Sequence, residues 1–544
     1  MALGPPDRRG ASRLRSRRVV LALGVLTTAV VAMVATLAVA ILWGATLAQS
    51  NGALARLELP PLAGSLESAT ARGPAGRAIV LSDRNGLLVP KTKLTPGETV
   101  SVEVVVRRPG WLGWALGDIR RERLTVRAPV ARVAKAWLTL RRNAPLRVRF
   151  DQSVVAVAVG NSSGRLEKRR LTGGVLDLGT QAASGVVAIR VAARSWERLG
   201  PTSYVTWFPP SRSPILVASP AASTTLAPTS PIRLTFSRPI AAVLGSALPN
   251  LSPQTAGVWR HANSHTLVFT PAGTGFRLAS SVEVAFPRAV TLSAQADAGQ
   301  STTTTTLNYT VAGGSLLRLQ QLLAQAGYLP LNWTAAGAPV ARSAAAEVSA
   351  ALTPPPGTFS WRYPNTPSSL EALWRAGHSN VITKGAVMMF EDDHGLATDG
   401  IAGPEVWHAL LEAAIRRQRH TAPYSYVYVH SQLPESLTLW SGGGVVLRSP
   451  GNTGIPSRPT EAGTFPVFEH LPVGTMSGTN PDGSHYHDPG IRYISYFNGG
   501  DAIHEYPRAS YGTPQSLGCV ELPLAAAARV YPYTPIGTLV TVEN

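Results

Sequence analysis

Apolar and polar residues alternate with a period of two along two long stretches of the chain. They switch to 3–4 spacing in a third stretch and return to alternation before the C-terminus. A period of two puts successive side chains on opposite faces of a strand, and 3–4 spacing lines one face of a helix. Between 77 and 209 the alternation shows in Thr99–Val106, Ala131–Leu138, Val154–Val159 and Gly185–Val191, punctuated by Gly, Pro and Asn. This predicts antiparallel strands forming a β-sandwich. A second block, 214–312, holds Pro231–Ser237, with Ile232, Leu234 and Phe236 facing inward, and His265–Pro271. Its Thr302–Thr306 run, continued by Leu307–Val311, fits a final strand as well as a linker. Gly313-Gly314 marks a boundary, after which Leu316, Leu317, Leu319, Leu322 and Leu323 predict a helix capped by Gly327. Two more helices are expected, over Thr383–His394 and from Pro404 to about Arg417. From Tyr424 alternation resumes in Tyr426–Val429, Leu437–Trp440 and Gly444–Arg448, with a hairpin turn at Ser441–Gly444 and a last strand over Gly537–Val542. The region 424–544 is thus expected to be a mostly-β domain.

The N-terminus has no such periodicity. Six arginines (Arg8, Arg9, Arg13, Arg15, Arg17, Arg18) precede a run without charge from Val19 to Trp43. That length crosses a hydrocarbon core of roughly 30 Å as a helix. A cleaved signal peptide is the alternative, with Ala45–Ala48 as its cleavage site, but its apolar core is usually about 7–15 residues. The expectation is a cytoplasmic basic tail over 1–18 and an uncleaved transmembrane helix over 19–45. The N-terminus then lies in the cytoplasm, the helix anchors the chain in the cytoplasmic membrane and the rest of the chain is exported.

Composition sharpens this picture. A chain of 544 residues, 44% hydrophobic and 15% charged, holds several folded domains. The net charge of +19 draws the protein to polyanions. No zinc-finger, recognition-helix or RNA-binding aromatic pattern accompanies it, so an anionic surface is expected as partner and nucleic acid is not. Cys519 is the single cysteine, which excludes an intramolecular disulfide and a cysteine-based structural metal site.

The domain phrases then become specific. The first β block fits an immunoglobulin-like sandwich. In the second, "PIRLTFSRPI" and "GVWRHANSHTLVFTPAGTGF" resemble bacterial immunoglobulin-like surface domains, which implies a spacer. "LQQLLAQAGYLPL" followed by "ITKGAVMMFEDDHGLATDGIAGPEVWHALL" resembles the three-helix peptidoglycan-binding domain, over 315–414, with a Pro- and Trp-containing insert around 335–378. The resemblance implies that Asp399, Gly400, Gly403 and Pro404 turn into the last helix. Trp407 and Phe390 are expected in its core.

Four phrases of the C-terminal domain carry chemistry: Thr460–Phe465, Asn480–His487, Ala502–His504 and Ser516–Glu521. A thiol is a weak nucleophile until a neighbouring histidine takes its proton. His504 lies fifteen residues before Cys519, so a strand, a loop and a return can join them. Gly518 lets a substrate backbone approach, and the amides of Gly518 and Cys519 are placed to face an oxyanion. His485, His487 and Asp488 could be read as a metal cluster, but alternation puts just the two histidines on one face of a strand and no third ligand follows at convincing spacing, so neither a metal nor an organic cofactor is expected.

Together, T-x-x-G-x-F, "DGSHYH", "AIH" and "SLGCVEL" resemble the L,D-transpeptidase catalytic domain of YkuD type over 424–544. The resemblance implies that Cys519 is the acylated nucleophile, His504 its base, and the carbonyl of Glu505 the group that orients the imidazole. It further implies that Ser516 orders the nucleophile loop, that Tyr486 lies in a flap over the substrate, and that Thr464 and Phe465 contact substrate. The donor would be a peptidoglycan stem peptide, the product a 3→3 cross-link, with glycan held by the binding domain. Water as acceptor would give an L,D-carboxypeptidase, and a degenerate site would leave a wall-binding scaffold. Two positions depart from the family pattern: Leu517 replaces a histidine, and Glu521 stands where Arg or Asn is usual. NlpC/P60-type peptidases place Cys before His, and sortases place His far upstream, so neither fits the order here.

Overall fold

The computed structural model describes residues 24–36, 38, 44–60, 63–110, 113, 117–141, 143–160, 166–293 and 301–543. The expected membrane helix falls partly outside them. Residues 24–36 and 38 are helical, whereas 19–23 and 39–43 are not among the described residues. No helix among the described residues is long and apolar enough to cross a membrane. The chain divides into two compact units, 1–213 with 293–300, and 214–292 with 301–544.

The first unit is mostly β among its described residues beyond position 44, with turns, a 3-10 segment and helical residues at Gly110 and Gly113. Two four-stranded sheets enclose a core of Leu54, Leu57, Leu88, Val100, Val102, Val104 and Val106. Thr99–Arg107 alternates as its sequence predicts, with each even position buried. A separate five-stranded sheet, spanning Trp137 to Phe208, closes over Leu146, Val148, Val157, Ile189 and Val205. The single sandwich expected over 77–209 is therefore two cores, and the first begins at Thr46. Its early strands, such as Ala55–Glu58, are only four residues long, too short for alternation to stand out. Of the strand expected over Ala131–Leu138, only Trp137–Thr139 is paired as a strand, with Val133 making a single bridge.

The second unit opens with an eight-stranded sheet around Ile232, Leu234, Phe236, Leu267 and Phe269. The threonine run belongs to a strand, Ser301–Val311, so the linker alternative falls away. Four longer helices follow: α1 (Leu316–Ala326), α2 (Ala344–Leu352), α3 (Val381–Asp393) and α4 (Pro404–Arg416). Gly327 closes α1 in the left-handed region at φ 91°. Asn380 caps α3 by accepting from Thr383 N at 2.8 Å, and Pro404 opens α4. The insert supplies α2 and the strand Gly357–Trp361, which pairs antiparallel with Leu331–Ala335. Arg318 of α1 and Glu347 of α2, both buried, pair at 2.7 Å and tie the insert to the helices.

The C-terminal region holds two sheets. One has the order β3-β2-β1-β9-β4, from β1 (Ser425–His430), β2 (Ser436–Ser441), β3 (Gly444–Pro450), β4 (Gly463–Pro466) and β9 (Leu539–Glu543). The other is β5 (Glu469–Thr479), β6 (His485–Asn498), β7 (Asp501–Glu505) and β8 (Val520–Leu522), in that order. Val427, Val429, Leu439, Phe497, Ile503, Val520 and Val540 form the core, closed by α5 (Leu524–Val530). Trp407 and Phe390 are buried in a second core that also takes in Tyr424, Tyr426, Trp440 and Leu539. The helices and the first sheet therefore share apolar contacts instead of forming separate modules.

Gly385 of α3 meets Gly537 without side chains between them. A Cβ on Gly385 would lie 2.4 Å from Gly537 O. In an exposed helix interior, Gly to Ala stabilises by about 1 kcal/mol. Here the sign reverses: Gly385→Ala is expected to lower the melting temperature of the full chain. A raised melting temperature would show that the helices do not rest on β9.

Candidate active site

The site is built on the parallel pair β7 and β8. Gly499, at φ 52°, turns the chain from β6 into β7. Ile503 pairs with Val520, His504 with Glu521 and Glu505 with Leu522. Ile503, Val520 and Leu522 point into the core between the sheets. Alternation sends Ala502, His504 and Glu521 to the other face, where Cys519 packs with Ala502, Ile491, Ile494, Tyr496 and Tyr506. The lone thiol and the expected base thus share one face of neighbouring strands.

His504 is 2% exposed. Its Nδ1 lies 2.9 Å from Glu505 O. A carbonyl only accepts, so Nδ1 carries the proton and Nε2 of the neutral ring has the free lone pair. Burial holds the imidazole below the usual histidine pKa, with Arg508 adding to this, while the Glu505 carbonyl and Glu521 pull the other way. The ring is therefore neutral near pH 7 and able to accept a proton.

Cys519 keeps some opening to solvent. Its Sγ lies 3.6 Å from Gly500 O, and no hydrogen bond joins it to His504 in this structure. Burial, with Asp501 and Glu521 adding to it, pushes the thiol up to about 12. The resting sulfur is thereby held as a neutral thiol. The phenols of Tyr486 and Tyr496 stand close enough for a charge on Cys519 to raise them, after burial has done so.

Ser516 fixes the turn into Cys519. Its Oγ donates to Cys519 O at 2.5 Å and accepts from Gly518 N at 3.2 Å. The Gly518 amide is thereby occupied, contrary to its expected place facing an oxyanion. Gly518 has φ 124°, and a Cβ there would meet the Asp501 carboxylate at 2.3 Å. The positive φ calls for glycine there, and an added Cβ would also have to displace the Asp501 carboxylate.

Tyr486 belongs to the β5–β6 hairpin, whose register sets it opposite Gly478. Thr464 and Phe465 do not join this group. β4 pairs with β9 in the other sheet, where Thr464 Oγ1 lies 2.8 Å from Thr541 Oγ1. Phe465 packs on the core side, against Phe497 with ring centroids 6.2 Å apart, across the sheet from the thiol. Both are structural here, because β4 alternates between the core and the Thr541 side.

Several participants were not anticipated. Asn452 and Glu521 exchange backbone hydrogen bonds at 3.0 and 2.9 Å, and Asn452 Oδ1 accepts from Gly512 N at 2.9 Å. The buried Glu435 carboxylate takes both Thr453 N and Thr453 Oγ1, at 2.6 and 2.7 Å. Asp501 accepts from Glu461 N at 3.3 Å and has its carboxyl raised by burial. Arg508 pairs with Glu521. Only Arg508 had a signal in the sequence: it is the one cation between His504 and Cys519, and a buried Glu521 needs one.

A neutral thiol reacts with electrophiles only as its thiolate fraction grows. Alkylation of Cys519 by iodoacetamide is expected to climb through about pH 9 without a plateau near neutrality. A plateau centred below about pH 8 would reveal a thiolate–imidazolium pair instead.

Residues 425–542 match the YkuD family, the L,D-transpeptidase catalytic domain. Among curated proteins none matches the sequence. Among solved structures, the chain is similar to an L,D-transpeptidase from Mycobacterium smegmatis, at 13% identity over 60% of this chain and 97% of that one, with a TM-score of 0.21. The catalytic domain of an E. faecium L,D-transpeptidase is 28% identical over 22% of this chain and 96% of its own, also at 0.21. An L,D-transpeptidase from Mycobacterium tuberculosis H37Rv is 13% identical over 60% and 97%, at 0.20.

Proposed function

We propose that the protein is a peptidoglycan L,D-transpeptidase that forms 3→3 cross-links through a thioester on Cys519. The observation that carries this reading is the common face of Cys519 and His504, with His504 Nδ1 engaged by Glu505 O and Nε2 left free. The family match over 425–542 supports the reaction class.

The donor is a stem tetrapeptide. Nε2 of His504 takes the thiol proton as Sγ leaves Gly500 O and attacks the carbonyl of the third residue. The amide bond to the terminal D-Ala breaks, and the imidazolium returns its proton to the departing amine. The side-chain amine of a second stem then attacks the thioester, forming the cross-link amide and restoring the thiol. Water in place of that amine gives a carboxypeptidase.

The other parts of the chain fit this role. The helical region over 315–414 would hold peptidoglycan near the site and raise its effective concentration. The charge-free run over 19–43 behind six arginines supports a membrane anchor, with the catalytic region outside the cell and the β domains as spacers.

The test is purified full-length protein incubated with a disaccharide tetrapeptide, with products and intact protein followed by mass spectrometry. Cross-linked dimer with an adduct on Cys519, absent from Cys519→Ala, is expected. No adduct and no turnover from folded protein that still binds sacculi would leave a scaffold. His504→Gln is expected to lower kcat/KM by about 10²–10⁴-fold. Because burial depresses His504, the acid limb of the wild-type pH profile is expected below about pH 6.5, the ordinary histidine value. A limb above that value would contradict a buried neutral base.

A further inference from the structure

Glu521 is 4% exposed and sits directly across the β7–β8 pair from His504. Paired residues of neighbouring strands project to the same face, so its carboxylate and the imidazole are neighbours. Both carboxylate oxygens are taken by one side chain. Arg508 Nε donates to Oε2 at 2.8 Å and Nη2 donates to Oε1 at 2.7 Å. Such a fork holds a carboxylate in one orientation.

Arg508 is itself fixed from several directions. Nη2 also donates to Gln515 O at 3.1 Å, inside the nucleophile loop. The guanidinium carbon lies 4.6 Å from the centroid of the Tyr506 ring. That ring stands edge-on to His504, at 6.1 Å and 87°, and its hydroxyl donates to Asp488 Oδ2 at 3.2 Å. The Arg508 amide donates to the Tyr511 hydroxyl at 3.2 Å, which donates to Tyr506 O at 2.7 Å.

The charged groups around His504 come from four places. Glu505, on its own strand, faces Arg492 Nε at 3.3 Å. Glu521 comes from β8 and Arg508 from the loop, while Asp488 reaches the cluster through Tyr506. Without Arg508, the buried Glu521 would have the imidazolium as its nearest cation and would favour the protonated ring.

We propose that Arg508 is a positioning residue of the active site, whose bidentate pair with Glu521 engages both oxygens of that carboxylate and leaves the imidazole a free base. The pair also fastens the nucleophile loop to the strand that follows Cys519. The proposal rests on the reading of His504 as the base.

The test compares full-length wild type, Arg508→Gln, Glu521→Gln and the double variant, each checked for folding by near-ultraviolet circular dichroism. Two readouts are taken: kcat/KM against pH, and the titration of the His504 imidazole by NMR on histidine-labelled protein, assigned with His504→Gln. Arg508→Gln is expected to raise the imidazole pKa by about one unit and Glu521→Gln to lower it, with the double variant returning near wild type. Well below the acid limb the Arg508→Gln loss in kcat/KM is expected to approach about tenfold, and to fade by about pH 8. An unchanged imidazole titration in both single variants, with a pH-independent loss of activity, would reduce the pair to a structural staple and overturn the proposal. If Arg508→Gln does not fold, the double variant and the exchanged pair Arg508→Glu with Glu521→Arg decide by the same titration. Absence of turnover in wild type would sink the transpeptidase reading, while the imidazole titration would still judge Arg508.

Discussion

The pairing of Ile503 with Val520 is the constraint on which the site depends. Parallel strands read in this register place two apolar residues in the core and commit His504 and Glu521 to the opposite face. A slip of one residue would bury His504 among Val427, Val540 and Phe497 and turn Ile503 outward, which the apolar core forbids. The chemistry is thus positioned by hydrophobic burial on the side of the sheet away from it. Parallel pairing is available only because the chain makes a return loop, and that loop carries both Arg508 and Ser516.

The loop is held by polar contacts instead of apolar packing. Asn452, Thr453 and Glu435 anchor one side, Arg508 and Glu521 the other, and Ser516 closes the last turn. Each of these groups is buried or partly buried and each has a partner. Losing one leaves another without its hydrogen bond, at a cost of about 1–3 kcal/mol. Such a network specifies one arrangement of the segment around Cys519, where a purely greasy loop would tolerate several.

Much of this was legible in the sequence where periodicity is long. Thr99–Arg107, Ile232–Phe236, α1 and α4 follow their patterns closely, and Trp407 and Phe390 are core as their apolar settings imply. The phrases around His504 and Cys519 also located the candidate site. Short strands such as Ala55–Glu58 gave too few alternations to register, and Ala131–Leu138 alternates over a stretch that pairs only at its end. Partners distant in sequence leave no local trace. Nothing near Asn452 points to Glu521, and nothing in T-x-x-G-x-F reveals that Phe465 faces Phe497 instead of a substrate. The shared core of helices and first sheet is hidden for the same reason, since Tyr426 and Trp440 alternate like any strand residues.

The uncharged state of the Cys519 sulfur has a bearing on the durability of the protein. Peroxides oxidise the thiolate, and most adventitious electrophiles alkylate or acylate it. With its thiol pushed up to about 12, the resting protein presents almost no thiolate. A solitary cysteine has no resolving partner to rescue it once it becomes a sulfenic acid. Keeping the sulfur protonated is therefore a form of chemical longevity, which the fold supplies by surrounding it with Ala502, Tyr496 and two carboxylates.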